Sequence, residues 1–164
     1  MIDEPSGASL DDEDVVGAQI GRPSRAAGDV VARCHLGLPV VVRMPPRLDD
    51  GTPFPTRYWL TCPLAVLRID RLEGIGGVRQ MQRRLEDDPG LAAEMETVHR
   101  RYAAERDSAI VAGAGPAPTG GVGGIVGGGV KCLHAHYAWF LAGGYDPVGR
   151  WVAAQLAAAD EDPT

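Results

Sequence analysis

Lysine is nearly missing from this sequence: of its 16 basic residues only Lys131 is not arginine. Aromatic side chains are scarce as well, at 5%. Without a dense basic run interleaved with aromatic residues, the chain lacks the footprint of a general nucleic-acid binder. Cysteine occurs at positions 34, 62 and 132 only, too few and too odd in number for a secreted disulfide framework, so reduced thiols, buried or metal-bound, are expected. No stretch approaches the roughly 18 apolar residues of a membrane span, and the first residues are acidic where a signal peptide is basic and then apolar. A cytoplasmic location with no membrane partner follows as the expectation.

What the chain does have is enough apolar content, 45% over 164 residues, for one core of its own. The net charge of −6 is carried by the ends, since Asp3, Glu4, Asp11, Asp12, Glu13 and Asp14 open the chain and Asp160, Glu161 and Asp162 close it. Residues 1–14 and 158–164 are therefore expected as disordered acidic tails around a single domain over 15–157. Residues 11–20 nevertheless carry the pattern of a short helix, with acids first, Val15, Val16 and Ile20 behind them, and Gly21 and Pro23 as a stop.

Periodicity gives an α+β fold. The β-branched runs at 29–35 and 40–44, separated by Leu36-Gly37-Leu38-Pro39, read as a hairpin, and TRYWLT at 56–61 reads as a third strand. A small antiparallel sheet within residues 29–61, packed by four to six helices, is the expected architecture. Pro63 suits a first helical position, and Leu64, Leu67 and Leu72 are placed on one side of the helix it opens. Leu91, Met95, Val98 and Tyr102, spaced by four, three and four, mark the inner stripe of a longer helix beginning at Pro89. Asp146-Pro147 reads as an N-cap followed by proline at the first helical position of the last helix.

Chemistry concentrates in GGVGGIVGGGVKCLHAH, residues 120–136, where a glycine run feeds a helix start. Glycines let backbone N–H groups converge on an anion, and Lys131 adds a charge, so Gly127, Gly128, Gly129 and Lys131 form a candidate anion pocket. The phosphate-loop signature fails, because Val130 separates glycine from lysine and Cys132 stands where Ser or Thr would follow. A flexible linker is the competing reading of the run. Arg57 and Arg68, near the strand-to-helix joint at Cys62, are further candidates for a substrate carboxylate or phosphate, with a surface ion pair as the bland alternative.

Cys132 and His136, four apart, are placed on one side of a helix with His134 pointing away. Thiolate and imidazole suit zinc, and Cys62 with Cys34 or His99 would complete a four-ligand shell. The alternative is that Cys132 and His136 pack in the core beside Trp139 and Phe140. Cys62, at a helix start that favours a thiolate, is the better nucleophile, with a histidine such as His134 as its base.

Three blocks, DDGTPFPTRYWLTCP at 49–63, the LE-G-G-V segment at 72–78 and GVKCLHAHYAWFLAGGYDPVG at 129–149, resemble the actinobacterial family of unknown function numbered five hundred and one. The family commonly carries asparagine where Asp146 stands, and both residues cap a helix. The resemblance implies no reaction; it implies that YWLTCP and KCLHAH belong to one site. The expected function is thus a Cys/His metal or reactive-thiol site beside a glycine and lysine anion pocket, acting on a small phosphorylated or carboxylated substrate. Its rival is an interaction or scaffold module, with a protein partner, in which the same residues only pin helix to sheet.

Overall fold

The computed structural model describes residues 11–161. The tail expectations for residues 1–10 and 162–164 lie outside them.

The acidic run at residues 11–14 is built into a helix. Asp11 caps α1 (Asp12–Ile20) by accepting from Glu13 N–H at 3.2 Å, and three acids in the first turn complement the positive helix start. At the other end α6 (Pro147–Glu161) carries ordered backbone past residue 157.

The sheet is the expected hairpin plus one strand. Its order is β1 (Asp29–Arg33), β2 (Pro39–Arg43), β3 (Tyr58–Leu60), antiparallel throughout, with Val41 opposite Leu60 and Val42 opposite Trp59. Alternation along β2 sends Val41 to one face and Val42 to the other. Val42 joins Val16, Ala26, Met44 and Leu48 in a small cluster under α1. Val41, with Tyr58 and Leu60, faces the main core built by the remaining helices.

Those helices are α2 (Pro63–Gly74), α3 (Gly77–Asp87), α4 (Pro89–Asp107), α5 (Leu133–Leu141) and α6. With three strands and six α-helices among the described residues, the fold is a small α+β domain, as expected. Among the described residues no helix is long and apolar enough to cross a membrane. On α2 the buried side belongs to Ile69 and Leu72, while Leu64 and Leu67 are exposed. The spacing of Leu64, Leu67 and Leu72 describes a helix correctly but mistakes its inner face, because Ala65, Ile69 and Leu72 form an equally regular row.

The stripe on α4 is as expected and longer. Met95, Val98 and Tyr102 are buried, and the same face continues through His99 and Arg106, both of which point inward. These two polar groups hold the glycine-rich loop. His99 Nδ1 accepts from Val122 N–H at 3.1 Å, which leaves the proton on Nε2 to donate to Gly129 O at 2.9 Å. Arg106 donates to Gly120 O at 2.8 Å, and Arg47 reaches Pro116 O at 2.9 Å and Gly115 O at 2.5 Å. One imidazole thus clasps both ends of the segment from 122 to 129. Glycine is required at 121, since a Cβ there would meet His99 Nδ1 at 2.5 Å. The linker reading gives way to an ordered loop fixed by side chains from α4.

Helix α5 is the hub. It packs on β3, on α2 and on α6, and Gly149 allows the last of these contacts because a Cβ there would lie 2.5 Å from His136 O. This placement sets the two sequence blocks YWLTCP and KCLHAH against each other.

Candidate functional site

The site begins with a detail of backbone at Cys132. Its φ of −145° and ψ of 116° are extended, so Cys132 caps α5 and helical spacing starts only at Leu133. The four-residue rule that pairs Cys132 with His136 therefore does not apply. Instead Cys132 Sγ lies 3.8 Å from His134 Nδ1. The carboxylate of Glu73, from the last turn of α2, completes the group: Glu73 Oε1 is 3.3 Å from His134 Nδ1 and accepts from Leu133 N–H at 2.7 Å. The ligand atoms of Glu73, Cys132 and His134 all lie within 4.8 Å of one another. This group could hold a metal ion.

The far side of the His134 ring is also anchored. Nε2 lies 3.3 Å from Val66 O and 3.2 Å from Asp70 Oδ1, so its proton faces a carbonyl and a carboxylate. Burial alone would push His134 down, but the hydrogen bond and charge of Cys132, the Glu73 carboxylate and the Val66 carbonyl outweigh it and raise the ring to about 9. The cluster opens on a cavity of about 430 Å³ between β3 and α5, lined by Thr56, Tyr58, Leu60, Val66, Lys131 and Ala135 together with Cys132 and His134.

His136 sits on the opposite side of the same helix, fully buried. Its Nδ1–H donates to Asp146 Oδ2 at 2.7 Å, and the other oxygen of Asp146 caps α6 by accepting from Val148 N–H at 2.9 Å and Gly149 N–H at 3.0 Å. The His136 ring meets that of His99 edge to face with centroids 5.8 Å apart. Its Nε2 is buried and finds no hydrogen-bond partner among the described residues.

The remaining residues singled out by sequence lie elsewhere. Cys62 caps α2 through its backbone, and Cys34 belongs to the turn between β1 and β2, its N–H bonded to Leu38 O at 3.0 Å. Neither joins the Glu73, Cys132 and His134 group. The thiol beside His134 is that of Cys132. Arg57 Nη1 donates to Met44 O at 2.6 Å, and Arg68 pairs with Asp160 at 2.6 Å, the ion-pair alternative. Gly127, Gly128 and Gly129 face Gln82, Glu86 and Glu96 across a hollow of about 190 Å³. Two of the N–H groups that would form an anion nest are occupied, Val130 by Gln82 Oε1 at 3.1 Å and Leu133 by Glu73.

A family model described as "Protein of unknown function (DUF501)" matches residues 30–154. The chain belongs to that family. The DUF501 match runs from β1 to α6 and takes in Glu73, Cys132 and His134, along with both walls of the cavity. No curated protein and no solved structure matches the chain. The resemblance read from three sequence blocks is thus borne out. Glu73, which reasoning from cysteine and histidine passed over, stands in the LE-G-G-V segment, the block whose role was otherwise unassigned.

Proposed function

We propose that the protein binds a divalent metal through Cys132, His134 and Glu73, zinc by the chemistry of the donors, and presents its open position to the cavity between β3 and α5. One observation carries the reading, the spacing of the donor atoms. Tetrahedral zinc with ordinary bond lengths sets sulfur and nitrogen ligands about 3.6 Å apart and nitrogen and oxygen ligands about 3.4 Å apart. Here the separations are 3.8 Å and 3.3 Å. The His134 Nε2–H aimed at Val66 O and Asp70 supplies the outer hydrogen bond that orients a metal-bound imidazole. Three protein donors leave a fourth place for water or a small molecule, the arrangement of reactive rather than purely structural zinc sites. Lys131 lines the same cavity, which suits it to a small anion.

A second reading rests on the same contact. A thiol 3.8 Å from an imidazole is also the pairing of a reactive cysteine and its base, with Cys132 rather than Cys62 as nucleophile. Elemental analysis of protein purified without a metal-affinity tag separates the two. About one equivalent of zinc, lost in Cys132→Ser and in His134→Ala, is the expected result. Protein that stays metal-free after incubation with zinc and dialysis, yet alkylates quickly at Cys132, sinks the metal reading in favour of the thiol.

A further inference from the structure

Resting on the metal reading, we propose that the cavity admits a small carboxylate with an apolar body, its carboxylate bridging the open metal position and Lys131. Charge comes first. A divalent metal with one thiolate, one carboxylate and a neutral imidazole is electrically balanced, and the Lys131 ammonium is offset by the Asp70 carboxylate beside the ring, so each negative charge a ligand brings is in excess. None of the ion pairs among the described residues involves Lys131. A monoanion adds one such charge; a phosphate monoester, with about −1.5 to −2 charge, adds more beside Glu73 and Asp70.

Hydrogen bonding points the same way. Three phosphoryl oxygens need several donors, and a nest of backbone N–H groups is the usual source. At this helix start those of Val130 and Leu133 are committed to Gln82 and Glu73. Among the residues that line the cavity, Lys131 carries the one ammonium and Thr56 a hydroxyl, a complement that fits two oxygens. The Tyr58 hydroxyl is spent on Glu105, leaving its ring as apolar wall with Leu60, Val66 and Ala135. The volume of about 430 Å³ falls within the range of small-molecule sites.

The experiment is calorimetric titration of the full chain, zinc-loaded and metal-free, with benzoate and separately with inorganic phosphate. Benzoate is expected to bind the loaded protein at least about tenfold more tightly than the metal-free protein or loaded Lys131→Ala, with Lys131→Arg restoring most of the loss. Phosphate is expected to bind at least about tenfold more weakly than benzoate. Benzoate that does not bind, binds Lys131→Ala equally well, or is outcompeted by phosphate overturns the proposal. Zinc content is read on every sample: protein that takes no zinc overturns the metal reading, whereas bound zinc without benzoate affinity overturns only the carboxylate.

Discussion

His134 and His136 stand on either side of Ala135 on the same short helix and meet opposite worlds. Two residues along a helix turn the side chain by about 200°, so whatever one ring faces the other turns its back on. His134 looks out, between a thiol and two carboxylates, at the rim of a cavity. His136 looks in, where a single buried aspartate ties it to the start of α6. The lesson is that residue type marks neither as functional. What separates a candidate ligand from a structural histidine is the company of other donors and the presence of open space beside them.

The largest effect that tests this contrast is on stability, on the inner side. Asp146→Ala strips the buried His136 of its acceptor and α6 of its cap together; an unsatisfied buried donor costs about 1–3 kcal/mol and a lost N-cap about 1 kcal/mol more. Urea denaturation is expected to show that loss. On the proposed metal reading the fraction that remains folded still binds zinc, because His136 lies outside the Glu73, Cys132 and His134 group. Asp146→Asn costs less, since an amide oxygen still caps α6, and the amide nitrogen can donate to His136 Nδ1 once the ring moves its proton to Nε2. Loss of zinc from folded Asp146→Asn protein would break the separation of the two histidines.

On the outer side the order of effects reverses. Cys132→Ser is expected to lower zinc affinity by more than about 100-fold, as loss of a thiolate ligand should. Its melting temperature in the metal-free state shifts little, since Cys132 is only partly buried. A competition assay with a chromogenic chelator reads the affinity; a drop of less than a few-fold places the metal elsewhere. Asp70→Asn acts one step further out, and because Val66 O remains to hold the His134 ring, its cost is about tenfold at most.

How far the sequence discloses this depends on what kind of information each feature needs. The strands at β1, β2 and β3 and the stripe of Met95, Val98 and Tyr102 are written in local period, so they are legible. That His99 and Arg106 continue the same stripe is legible too, but polarity hides it: a buried histidine and arginine look like surface until the loop they clasp is in place. The pairing of Cys132 with His134 fails at sequence level for a local reason, an extended backbone at residue 132 that breaks the helical count. Glu73 fails for a distant one. Nothing in α2 announces that its last turn will meet the first turn of α5, and only folding brings that carboxylate to the thiol and imidazole. Cys62 attracts a cysteine-chemistry reading because it opens α2, yet the thiol that lines the cavity with a histidine stands at the start of α5.

The smallest effect distinguishes the two histidines by pH. In the metal-free protein the folded state holds His134 at about 9, above its ordinary 6.5, chiefly because the pull of Cys132 and Glu73 outweighs burial. A histidine whose folded pKa is raised contributes stability that is fully present below the unfolded value and is lost as pH rises through the folded one. The contribution of His134 therefore stands at about pH 6 and has faded by about pH 9.5. Because the ring is partly solvated, the change is modest, and it is best seen as a difference: the urea midpoint of the parent minus that of His134→Gln, each without metal. That difference is expected to shrink steadily from about pH 6.5 to about pH 9. Zinc reverses the trend, since the metal must displace the His134 proton and binds more tightly as pH rises over the same interval. A midpoint difference that is flat with pH, or zinc affinity that does not rise, would mean that His134 holds no proton between the thiol and the carboxylate.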